Sequence, residues 1–107
     1  MIVEYLKEAK LMQIATSKNN KPWDATLWYV HDDELNLYFI SRRSRRHSIE
    51  LKKNPNVAGT IVRPHTKGSG EKVAGLQFEG TSHDLTDEPN EIKKADRLYH
   101  EKYSLAE

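Results

Sequence analysis

Residues 38–59 read YFISRRSRRHSIELKKNPNVAG, and this stretch organises the rest of the chain. It begins within an apolar run, Leu35 to Ile40, whose density and alternation predict a strand. Arg42, Arg43, Arg45 and Arg46 follow, interrupted only by Ser44. Ser44 suits an N-cap, and the residues after it can stay helical until Asn54, because Pro55 disfavours helix for its predecessor. The spacing therefore predicts a helix over 45–53 with Arg45, Arg46 and His47 in its first turn. Free backbone N–H groups and the macrodipole already make that end positive. Cations gathered there imply an anion, such as a phosphate held by N–H groups, the Ser41 or Ser44 hydroxyl and an arginine fork. The same residues also suit a plain solvated basic turn.

A chain of 107 residues fits one domain, 1–107, with a modest core. Its 17 Lys and Arg against 16 Asp and Glu leave a net charge of +1, so the basic cluster is local. A general nucleic-acid binder carries a broader basic stripe. The absence of cysteine excludes a disulfide framework, a thiolate nucleophile and a cysteine metal site. Its five histidines form no HxxxH or HxH pair, so no metal site is expected. The segment MIVEYLKEAK mixes acids with its apolar residues, unlike a signal peptide, and no apolar run approaches the roughly 18 residues of a membrane span. The expectation is a cytoplasmic protein with no membrane contact.

Ile2, Leu6 and Ala9 lie at helical spacing and predict a short helix over 2–10. Leu11–Thr16 reads as a first strand, 17–22 as a turn, and Trp23–His31 as a second strand. Leu27, Trp28, Tyr29 and Val30 leave that strand no polar face, so cover on both sides is expected, the second from another subunit or a ligand. His31 to Glu34 makes a turn into a third strand, 35–41. After the basic turn and helix come a fourth strand, Asn56–Arg63, a glycine-bearing loop, Pro64–Lys72, and a fifth strand, Val73–His83. A final helix opens near Pro89 with Ile92, Ala95, Leu98, Tyr99 and Tyr103 as its apolar stripe. Five short strands in so small a domain must manage their edges, and closure into a barrel is the usual way.

Taken together, LYFISRRSRRHSIELKKNPNVAGTI and VAGLQFEGTSHDL resemble segments of the pyridoxamine 5′-phosphate oxidase-like family, the FMN-binding split β-barrels. The resemblance runs from Leu11 to Tyr103 and rests on the order and spacing of its motifs, including Asn54-Pro55-Asn56-Val57 before the fourth strand. It implies a mainly β split barrel with flanking helices and an FMN in each of two clefts between the protomers of a homodimer. Ile40 and Ser41 fall where the family lines FMN at a strand end, Arg46 on its phosphate-binding arginine and His47 on the lysine that follows. Ala25, Thr26, Leu27 and Trp28 fall on the strand beside the isoalloxazine ring, although Trp28 equally suits core or dimer packing. Gln77 falls on a later strand that can reach the flavin, often from the partner.

Three departures separate the chain from the true oxidases. Ala25 stands where they carry an arginine, His47 replaces a lysine, and the chain stops at Glu107, before the final strand and the residues that hold pyridoxal phosphate. The resemblance thus implies an FMN-dependent oxidoreductase of another substrate. Haem, a deazaflavin or no cofactor are the alternatives within the family. Outside it stands a non-catalytic protein gripping a phosphate ligand or nucleic acid with residues 42–47.

Overall fold

A computed structural model describes residues 2–62 and 75–103. Among them are α1 (Ile2–Glu8), β1 (Leu11–Lys18), β2 (Lys21–Trp28), β3 (Val30–His31), β4 (Leu37–Tyr38), α2 (Arg46–Lys53), β5 (Asn56–Val62), β6 (Gly75–Thr81) and α3 (Pro89–Tyr103). The loop expected at Pro64–Lys72, together with Arg63, Val73 and Ala74, lies outside the described residues.

β1 and β2 form a hairpin closed by Asn19 and Asn20, with φ of 53° and 62°, between the paired Lys18 and Lys21. Asparagine tolerates left-handed geometry, and two such residues in succession give the turn whose twist matches the strands. With the turn confined to two residues, both strands extend further towards it than expected. β1 also pairs with β5, and β5 with β6, all antiparallel, in the order β2-β1-β5-β6.

Alternation along the strands sets the two faces of this sheet. Met12, Ile14 and Thr16 of β1 point inward and are buried, whereas Leu11, Gln13 and Ala15 point outward and are exposed. Met12 and Ile14 pack with Tyr5, Leu6, Ala9, Tyr29 and Ile61, and Leu27, Leu51 and Phe78 close over them. Gly59 stands opposite Phe78, and a Cβ there would come within 2.3 Å of the ring, so the phenyl lies across β5 where glycine makes room.

The single second strand expected at 23–31 is broken at Tyr29, and β3 pairs instead with β4 in a separate two-stranded sheet. The expected third strand, 35–41, shrinks to Leu37–Tyr38. Asp32 is the cause. Its buried carboxylate accepts the backbone N–H of Glu34 and Asn36, the Asn36 amide, the Tyr38 hydroxyl and the Lys94 ammonium, while Leu35 turns left-handed at φ 66°. Burial alone would raise this carboxyl, but the hydrogen bonds led by Asn36 and Lys94 outweigh it and hold it well below the ordinary carboxylate range. A turn wound around one carboxylate leaves few backbone groups for a ladder. The described strands accordingly form two open sheets, not a closed barrel.

α3 docks through the polar tips of its side chains, and none of its residues is fully buried. Tyr103 Oη donates to the Tyr29 carbonyl, Tyr99 Oη to the Trp28 carbonyl at 3.1 Å, and Lys102 Nζ to the Leu6 carbonyl at 3.0 Å. The Lys102 ammonium also sits 4.0 Å from the Tyr29 ring centroid, and burial pushes its pKa down to about 8. Of the expected stripe, Ala95, Leu98, Tyr99 and Tyr103 are half-buried, but Ile92 stays 38% exposed. α3 and the N-terminal segment thereby cover Tyr29 and Val30, which are 0% and 1% exposed, without a second subunit. Among the described residues no helix is long and apolar enough to cross a membrane.

Candidate functional site

β2 and the start of α2 face each other across an open cleft of about 850 Å³. One wall is β2 from Trp23 to Leu27; the other is Ile40, Ser41 and the helix start from Arg45 to His47, with Arg42 and Ser44 between. Of the residues expected to hold a cofactor, Ala25, Thr26, Leu27, Ile40, Ser41, Arg46 and His47 therefore come together. Trp28 does not line the cleft: it is 54% exposed, and its ring packs edge-on against Tyr103, 5.1 Å away. Gln77 lies elsewhere too, on the outward sheet face beside Gln13 and Thr60, where a separate depression opens.

The helix begins one residue later than expected, at Arg46, and its N-cap is Arg45, with extended backbone and no side-chain capping bond. Ser44 is not the cap, because residues 42–45 close a turn of their own through Arg45 N–H to the Arg42 carbonyl, 3.1 Å. Arg46 and His47 remain in the first turn, which contains no acidic residue. The first helical bond runs from Ile49 N–H to the Arg45 carbonyl, so the N–H groups of Arg46, His47 and Ser48 have no partner within the helix.

Arg46 is held in place from two sides. Its Nε donates to Glu50 Oε2 at 2.7 Å, and its guanidinium lies 4.0 Å from the Trp23 ring centroid. Glu50 is itself fixed by the Thr16 hydroxyl, 2.6 Å from Oε1. That hydroxyl first, then Arg46, keeps the carboxyl below its ordinary value. Among the described residues nothing pairs with the Arg46 Nη groups or with the guanidiniums of Arg42 and Arg45. Arg43 is tied outside the cleft, to the Thr86 hydroxyl at 3.0 Å.

His47 is 7% exposed, with Nε2 2.6 Å from Ser41 Oγ. Burial, and then the Arg45 charge, lower its pKa from 6.5, so the ring is neutral at pH 7. His31 is lowered likewise, by burial first, and its Nδ1 is buried without a partner among the described residues. Both imidazoles bind protons less readily folded than unfolded. Their contribution to stability is complete above pH 6.5 and is lost as pH falls below it. Melting temperature is expected to drop between pH 6.5 and 5, and the paired changes His31→Gln and His47→Gln to flatten that slope. An unchanged slope would show that neither ring is held neutral.

Thr16, Trp23 and Glu50 were not singled out from sequence. The Arg46–Glu50 pair was readable from its i,i+4 spacing, whereas Thr16 and Trp23 are supplied by strands distant in sequence.

With its open antiparallel sheets, the helix ahead of β5 and a cleft against β2, the fold is that of a split β-barrel. The family model for pyridoxamine 5′-phosphate oxidase matches residues 1–106, and the chain belongs to that family. A UPF0306 protein of Pasteurella multocida is 35% identical over 104 residues, 96% of this chain and 67% of that relative. Among solved structures, the conserved hypothetical protein Rv2991 of Mycobacterium tuberculosis superposes with a TM-score of 0.79 at 18% identity, over 95% of this chain and 61% of that one. HutZ, the heme storage protein of Vibrio cholerae, gives 0.69 at 19% identity, over 99% and 79% of the two chains. An FAD-binding protein of Mesorhizobium loti gives 0.72 at 18%, over 96% and 73%. At these identities the structural likeness is one of fold. The chain spans about two thirds of the length of the curated relative.

Proposed function

We propose that this protein is a flavin-binding oxidoreductase that holds FMN by its phosphate in the cleft between β2 and α2. The observation that carries this is the start of α2: an uncapped, acid-free helix end at a cleft that Arg42, Arg45 and Arg46 also line. Such an end favours a phosphate, and guanidinium forks match its oxygens. The cleft lies within the size range of small-molecule sites, and its Ala25, Leu27 and Ile40 side chains suit an apolar ring. When bound, the flavin ring supplies the redox chemistry, while the chain binds and orients it. Haem is the less fitting ligand. Among the described cleft residues the one imidazole, His47, is buried with Nε2 committed to Ser41, which leaves a poor axial ligand. In parallel titrations, FMN is expected to bind saturably and lose fluorescence. Binding of haem alone, or of neither, would overturn the proposal.

A homodimer is part of the same proposal. Its support is the outward face of the four-stranded sheet, where Leu11, Trp28 and Val62 are 45%, 54% and 45% exposed around Gln13, Ala15 and Ala58. Gln77 lies on that face, so it can serve a cleft only from a second copy. A stable interface of about 1,200–2,000 Å² would cover the patch. Sedimentation at micromolar concentration is expected to show a dimer, and Ala58→Arg a folded monomer. A monomeric wild type would remove the dimer.

A further inference from the structure

Arg46 does more in this cleft than carry charge. With Nε bonded to Glu50 and one face on the Trp23 indole, its guanidinium is fixed as a flat shelf, not left as a mobile cation. The Arg46 side chain is nonetheless 46% exposed, and Trp23 is 41% exposed although the guanidinium covers one of its faces. Both residues line the cleft at its β2-hairpin end, away from Leu27. Rigid, exposed, stacked planes of this kind attract another planar ring, because purine bases stack on guanidinium and indole alike.

Building on the flavin proposal, we infer that the site continues past the phosphate to a purine-stacking subsite on Trp23 and Arg46, so that the preferred ligand is a flavin adenine dinucleotide. In this arrangement the flavin ring lies toward Ala25, Leu27 and Ile40. The diphosphate meets Arg42, Arg45 and the Arg46 Nη groups, and the adenine covers the shelf. Edge and face of one guanidinium thus serve two parts of the ligand, which Nε anchoring by Glu50 makes compatible. A guanidinium needed only for charge has no need of an exposed indole beneath it.

Trp23→Leu retains apolar support beneath Arg46 and removes the indole. Dissociation constants for FMN and FAD on wild type and variant, with melting curves as the folding control, test the inference. FAD is expected to bind the wild type about ten-fold or more tightly than FMN, in line with the stacking of one base. Trp23→Leu is expected to bring the two affinities within about three-fold of each other, mainly by weakening FAD. If wild type binds FMN as tightly as FAD, or if Trp23→Leu lowers both equally, the purine subsite is overturned while the flavin proposal stands. If neither flavin binds, both fall together.

Discussion

Arg46→Ala is expected to weaken FMN binding by about 30- to 150-fold, the equivalent of roughly 2–3 kcal/mol. The figure is taken near the lower end for a lost charge pair because the Arg46 side chain is 46% exposed and the helix N–H groups, Arg42 and Arg45 remain. Stability is expected to fall as well. A cation leaving the positive end of a helix would by itself help slightly, but the Glu50 side chain is 5% exposed and would keep only the Thr16 hydroxyl. Adding Glu50→Gln to Arg46→Ala should restore the melting temperature without restoring affinity, separating the fold from the site. Arg43→Ala is the control: Arg43 points at Thr86 outside the cleft, so its loss should weaken binding slightly and only at low salt. Equal losses from Arg43→Ala and Arg46→Ala would mean diffuse electrostatics without a phosphate site.

Ile14→Ala is expected to cost about 2–5 kcal/mol of unfolding free energy, a large part of the roughly 5–15 kcal/mol available to a domain of this kind. Ile14 is 2% exposed on β1, which is bonded on both sides, opposite Ala25 of β2 and Gly59 of β5. Both cross-strand neighbours are small, so neither can fill the space that the lost side chain leaves. Gln13→Ala, one residue away on the exposed face, should stay within about 0.5 kcal/mol. Urea unfolding of the two variants checks this, and similar midpoints would contradict the assignment of faces.

Half of the cleft was legible from local signals: the serines and arginines of 41–47 precede a helix stopped at Asn54-Pro55. Ala25, Thr26, Leu27 and Ile40 carry no such signal and were placed beside it by the family resemblance. A turn over 17–22 was legible too, but not its confinement to Asn19 and Asn20, although asparagine is one of the few residues suited to it. What escaped depends on contacts between distant residues. Thr16 reads as an ordinary strand residue until Glu50, 34 positions on, is seen to bond it. The shortening of the third strand to Leu37–Tyr38 follows from Asp32, which gathers a partner as remote as Lys94. The final helix was read by its apolar stripe, yet tyrosine hydroxyls and a lysine ammonium reaching backbone carbonyls make much of its contact. Ser44 has the chemistry of a cap, but the turn at 42–45 displaces it from the helix end.

The central claim is that the start of α2 grips a flavin phosphate, and riboflavin tests it most directly because it offers the same ring without that phosphate. Dissociation constants for FMN and riboflavin, measured on the wild type by fluorescence at moderate salt, should differ by about 100-fold or more in favour of FMN, as expected when a charge-assisted anion contact is lost. Equal affinities would place the ring, and not the phosphate, at the origin of binding and contradict the account.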